Sequence, residues 1–218
     1  MTWATGIVSV LAAVIVSPLL AAWTVGLTTA TDNDVPWWHP RRVSVHRLVV
    51  VAAVAAVLAG CAAGGTPVAA WWLFATGGTV LCVVDAQHHL LPARIVYPLA
   101  AAIFAVLAVL ALTAVTAGEP DRLLRAVLAA AVVGGGWFTV AFVAPPAVGL
   151  GDVRVAAVAA GLLGWTGWPA VLAGQLAAFG LAAVTAGIIA ATSPAAGRAA
   201  QVPMGPALIA GALAAAWL

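Results

Sequence analysis

The sequence predicts an all-α protein, a polytopic transmembrane helical bundle of about eight apolar segments. Three observations predict it. Hydrophobic residues make up 65% of the 218-residue chain and charged residues only 6%, where a soluble chain carries roughly 25%. Eight apolar runs approach the ~20 residues that cross a bilayer. The basic residues, all arginine, collect in alternate loops. Backbone polar groups in lipid must be satisfied within the segment, so such runs form helices.

The segments fall near 3–27, 46–64, 67–84, 95–117, 123–143, 153–166, 168–191 and 203–218. The first has no basic residues ahead of it and is long enough to span, so it reads as a retained helix. Between the first and second lies the polar stretch 28–45, with Asp32 and Asp34 ahead of Trp37, Trp38, His39, Pro40, Arg41 and Arg42. Paired tryptophans with arginines beyond them mark a membrane interface. The second and third segments are joined by a tight turn, Ala63-Gly64-Gly65-Thr66-Pro67. The sixth is short for a full span. A break at Gly164-Trp165-Thr166-Gly167-Trp168-Pro169 separates it from the seventh. Small residues at Gly134, Gly135, Gly136, Gly174, Gly180 and Gly187 would let helix backbones approach closely. No linker or internal repeat divides the chain. Residues 1–218 read as one integral-membrane domain, with 1–45 as N-terminal helix and polar loop and 46–218 as the helical core.

Charge sets the orientation. The odd-numbered loops and their flanks hold Arg41, Arg42, Arg47, Arg94, Arg154 and Arg198; the even ones hold Arg122 and Arg125. The positive-inside rule then puts the odd loops in the cytoplasm and both termini outside. Asp85 would begin loop three and Asp152 would end loop five, so the two emerge on one face. A net charge of +2 is too small to point to nucleic acid as a partner. Cys61 and Cys82 sit in apolar runs without CxxC spacing or a nearby histidine pattern. They read as buried hydrophobes, with neither a disulfide nor a metal site expected. No cofactor is expected.

Of the six acidic residues, Asp32, Asp34, Glu119 and Asp121 fall in polar loops and need no further explanation. Asp85 and Asp152 border apolar helices, where a carboxylate is costly and a functional role is the default. Two carboxylates facing each other in a low-dielectric site cannot both ionise easily. One keeps a proton while the other accepts one, which is the arrangement that activates water against an amide. Gly149 and Gly151 leave room for a substrate strand beside Asp152. The plainer reading of Gly149-Leu150-Gly151-Asp152 is a loop leading into a helix, with Asp152 as a charge stabilised by the helix dipole.

The run from Asp85 through Leu91-Pro92 resembles the first motif of the type IV prepilin peptidases, an Asp, five residues, then Leu-Pro. Gly149-Leu150-Gly151-Asp152-Val153-Arg154 resembles their GxGDxK motif. Pro203-Met204-Gly205-Pro206 resembles their Pro-Phe-Gly-Pro segment. The resemblance implies a membrane aspartyl endopeptidase of the bacterial cytoplasmic membrane. It would cut the short basic leader from type IV pilin-like precursors at the cytoplasmic face, just before their hydrophobic segment. It implies Asp85 and Asp152 as the catalytic pair, with Leu91, Pro92, Gly149, Gly151, Arg154, Pro203, Gly205 and Pro206 shaping the site. Two positions depart from the pattern. The motif Lys is Arg154, a bulkier fork that cannot give up its proton, and Ala93 stands where Asp or Asn is common. The CxxC pairs of the methylating members are absent, so a peptidase-only protein is expected. Partners would be pilin-like precursors and the lipid bilayer.

Weaker expectations attach to other residues. His88 and His89 read as an interfacial polar loop, and Gln175 as a hydrogen-bonding group between helices. Pro203, Gly205 and Pro206 would either start a helix or free backbone groups for a substrate. Three other readings remain: another GxGD protease of the presenilin and signal peptide peptidase kind, a proton-coupled transporter, or a non-catalytic assembly scaffold.

Overall fold

The computed structural model describes residues 3–29, 42–88, 91–116, 121–143, 148–192 and 202–217. The expectations placed on Asp32, Asp34, Trp37, Trp38, His39, Pro40, Arg41, His89, Glu119 and Arg198 lie outside the described residues.

Among the described residues eight helices account for the eight apolar segments: α1 Trp3–Thr29, α2 Val45–Ala62, α3 Val68–His88, α4 Ala93–Thr116, α5 Asp121–Val143, α6 Leu150–Thr166, α7 Trp168–Thr192 and α8 Met204–Ala215. Six of them, all but α6 and α8, are long and apolar enough to cross a membrane. The chain is therefore an all-helical integral membrane protein. The expected turn at 63–67 is present and ends in a cis Thr66–Pro67 bond. The break between α6 and α7 narrows to Gly167, whose N–H donates to the Leu163 carbonyl (3.0 Å).

Consecutive helices pack as neighbours, α1 on α2, α2 on α3, α5 on α6 and α7 on α8. Longer-range packing then sets α3 and α6 side by side with α8. A helix that is apolar all round belongs in the interior. Helix α6 fits this description, being buried along nearly its whole length from Val153 to Trp165. Its shortness follows: it is a core element among the spanning helices. The inner stretch of α3 from Gly78 to Asp85 is buried as well. By contrast α5 and α7 expose Phe138, Phe142, Leu172 and Leu176, the side chains expected to meet lipid.

Only some of the glycines serve close packing. A Cβ on Gly164 would lie 3.0 Å from the Ala126 Cα of α5, and one on Gly134 would lie 2.9 Å from the Ala157 Cβ of α6. Gly135, Gly136, Gly180 and Gly187 meet nothing within 4 Å. That corrects the expectation for those four, which lie on outward faces of α5 and α7. Arg125 is also explained. Its Nε–H donates to the Gly164 carbonyl (2.8 Å) and its Nη2–H to the Trp165 carbonyl (3.1 Å). It thus satisfies carbonyls that the end of α6 leaves open.

Candidate active site

Asp85 does not begin a loop, as the apolar run alone indicated. It lies inside α3, one turn from the helix end, and is 5% exposed. A carboxylate near a helix C-terminus faces the negative end of the helix dipole. The compensation comes from elsewhere in the chain. The Gly205 N–H, at the second position of α8, donates to Asp85 Oδ2 at 2.9 Å. The first N–H groups of a helix have no partner within it, and Pro203, at the cap position, makes no side-chain cap bond. Asp85 therefore acts as a remote cap for α8. Gly205 is required there: a Cβ on it would stand 2.8 Å from Asp85 Oδ2 and 3.0 Å from Leu91 Cδ2. The Pro203–Pro206 segment starts a helix, and its free N–H goes to Asp85.

Asp152 occupies the first turn of α6. Its Oδ2 accepts the N–H of Gly149, the cap residue, at 3.1 Å. The plainer reading of this motif as a helix start is thus correct as far as it goes. The side chain is half-buried, and it lies outside the six spanning helices. Burial pushes the Asp152 carboxyl up to about 6. The Gly149 N–H offsets part of that rise, and the like charge of Asp85 adds to it. The two carboxylates, far apart in sequence, therefore feel each other.

Leu91 is the bridge between them. A Cβ on Gly151 would meet Leu91 Cβ at 2.6 Å and the Leu91 carbonyl oxygen at 3.3 Å, while Leu91 Cδ2 faces Gly205. One leucine thus touches both glycines, and each glycine adjoins one aspartate. Pro92 then opens α4, its carbonyl accepting the N–H groups of Ile95 (3.0 Å) and Val96 (3.2 Å). The three motifs converge on one spot, with Asp85, Leu91, Gly151, Asp152 and Gly205 as its members.

Arg154 is close in sequence but turned elsewhere. Its guanidinium lies over the Tyr97 ring of α4, 5.2 Å from the centroid. Sequence reasoning missed Tyr97, which carries no motif. It also missed Gln87, whose Oε1 accepts a hydrogen bond from Arg47 Nη2–H (3.2 Å) and ties α2 to α3 two residues on from Asp85. His88 is exposed at the end of α3. Gln175 bonds between helices as expected, accepting from the Trp137 indole N–H at 2.9 Å.

Two carboxylates held by backbone N–H groups, mutually repelling and partly withdrawn from water, can share one proton. Such a pair can both take a proton from water and give one to a carbonyl oxygen. A family model, the type IV leader peptidase family, matches residues 68–191. The match runs from the start of α3 into the last turn of α7 and includes both aspartates. No curated protein and no solved structure matches the chain.

Proposed function

Because the chain belongs to the type IV leader peptidase family, and so is a leader-peptidase-like membrane protease, we propose that it is an aspartyl endopeptidase using Asp85 and Asp152 as its dyad. Its substrates are type IV pilin-like precursors, and it removes their short leaders at the cytoplasmic face of the bacterial inner membrane.

The observation that carries this reading is the convergence of the two aspartate-bearing segments on Leu91, which packs against Gly151 beside Asp152 and against Gly205, the partner of Asp85. In the reaction the pair holds one proton. The ionised carboxylate takes a proton from water as the water oxygen bonds to the scissile carbonyl carbon. The protonated carboxyl gives its proton to the carbonyl oxygen. Collapse of the tetrahedral species breaks the C–N bond, and a proton passes to the leaving amine. The pair acts as a unit, so neither role belongs to one residue.

Two further features support the substrate class. An open apolar groove of about 520 Å³ is lined by Phe138, Ala141, Phe142, Val148, Gly149 and Leu150, and so includes the residue whose N–H holds Asp152. A hydrophobic segment lying in it leads to that carboxylate. The arginine asymmetry supports the cytoplasmic face. Arg125, one of the two arginines on the other face, is occupied in closing α6.

Co-expression with pilin-like precursors tests the proposal. Wild type removes the leader, whereas Asp85→Asn and Asp152→Asn each abolish removal while still inserting. Normal cleavage by either variant sinks the dyad. Failure of wild type to cut any such precursor sinks the substrate class.

A further inference from the structure

The motif cation does not face the carboxylate it adjoins in sequence. Helical residues advance about 100° each, so positions 152 and 154 point roughly 200° apart. Positions 151 and 154, by contrast, are neighbours on one helix face. Gly151 touches Leu91, and Arg154 stacks on Tyr97. Both contacts therefore join the same face of α6 to the beginning of α4.

That beginning needs outside support. Pro98 lies inside α4 directly after Tyr97. It has no N–H to return to the Arg94 carbonyl, so the first turn of α4 is tied less firmly to the rest of its helix. The turn carries Pro92 and, just ahead of it, Leu91, the side chain that fills the space between Gly151 and Gly205. Whatever fixes the start of α4 on α6 also fixes Leu91 between the two aspartate-bearing segments.

We propose that Arg154 and Tyr97 form a cation–π clamp that positions the Leu91–Pro92 segment between Asp85 and Asp152. Arg154 is a positioning residue acting through Tyr97, and its task is to supply a permanent cation to an aromatic face. This explains why arginine is accepted where the family pattern has lysine: both carry the charge, and the planar guanidinium stacks. No proton transfer is asked of it.

The inference rests on the peptidase reading for its effect on turnover, but its geometric content can be read separately. The first experiment measures kcat and KM of the purified full chain on a pilin-like precursor. Tyr97→Leu and Arg154→Met each lower kcat by about three- to five-fold, the size of an exposed cation–π contact, with KM little changed. The double variant is no worse than either single one. Tyr97→Phe and Arg154→Lys keep most of the rate. Multiplying losses in the double variant, or losses confined to KM, overturn the clamp.

The second experiment needs no activity. Leu91→Cys is introduced with Cys61 and Cys82 replaced by Ala, and its alkylation by a maleimide is timed. Tyr97→Leu and Arg154→Met raise the rate by about three-fold or more, while Tyr97→Phe does not. An unchanged rate overturns the clamp whatever the precursor result. A raised rate in a chain that cuts no precursor leaves the clamp standing and removes the pilin-precursor reading instead.

Discussion

Asp85 and Asp152 are both held by a backbone N–H at the start of a helix, but the helices differ in kind. Asp152 caps its own helix through Gly149, three residues away. Asp85 sits near the end of one helix and caps another through Gly205, 120 residues on. The first arrangement forms as soon as α6 forms. The second exists only when α3 and α8 are packed together. One carboxylate is half-exposed and the other buried. The proposed dyad thus joins a carboxylate held locally to one held across the fold, and perturbations should reach the two by different routes.

The sharpest way to break the comparison is to add one methyl group on each side. Gly205→Ala puts a Cβ 2.8 Å from Asp85 Oδ2, so the carboxylate or α8 must move. A misplacement of that order lowers kcat by about 100-fold, measured on enzyme shown to be inserted. Gly149→Ala meets its nearest atom, Asp152 Oδ2, at 3.3 Å, and a few tenths of an ångström of adjustment suffices. Its loss stays within about three-fold. Equal losses at the two sites would erase the distinction between remote and local capping.

The next effect is on pH. Asp152 is raised to about 6, and in the proposed mechanism the pair holds one proton. Its last proton is lost as pH climbs past 6, so cleavage falls above that value by about ten-fold per pH unit. A rate that rises through this range contradicts the shared-proton dyad. Removing the like charge tests the coupling directly. In Asp85→Asn, carbodiimide labelling of Asp152, followed by mass spectrometry against pH, shows its midpoint lowered toward the ordinary carboxylate range. A midpoint left at the wild-type value shows the two groups to be independent.

The smallest effect lies away from the pair. Gln175→Leu removes the partner of the Trp137 indole N–H and costs about 1 kcal/mol in stability, read as a lower melting temperature in detergent. Cleavage per folded molecule stays unchanged. A large activity loss there would mean that the site extends across α5 and α7.

The fold was largely legible because bilayer physics is written in composition. Each of the eight apolar runs holds a helix among the described residues, and the sixth was already marked as short for a full span. The error at Asp85 has a simple cause. The apolar run stops at Val84, but Asp85, Ala86, Gln87 and His88 continue the helix, since polarity by itself does not end one. The helix-start reading of Asp152 was legible because capping is local and its spacing shows in sequence. Gly205 was marked as a helix breaker with backbone to spare, yet nothing adjacent identified Asp85 as the acceptor. Tyr97 was not legible at all. An aromatic residue in an apolar helix looks like lipid-facing surface until the helix packed beside it is known.

The bond from Gly205 to Asp85 also has a bearing on time. Synthesis runs from Asp85 to Gly205 through 120 residues, on the order of ten seconds of translation. Throughout that interval α3 is already made, but the donor that steadies its carboxylate is not. Helix α8 leaves the ribosome well after α3, so Asp85 gains its Gly205 partner only once that later helix has been made.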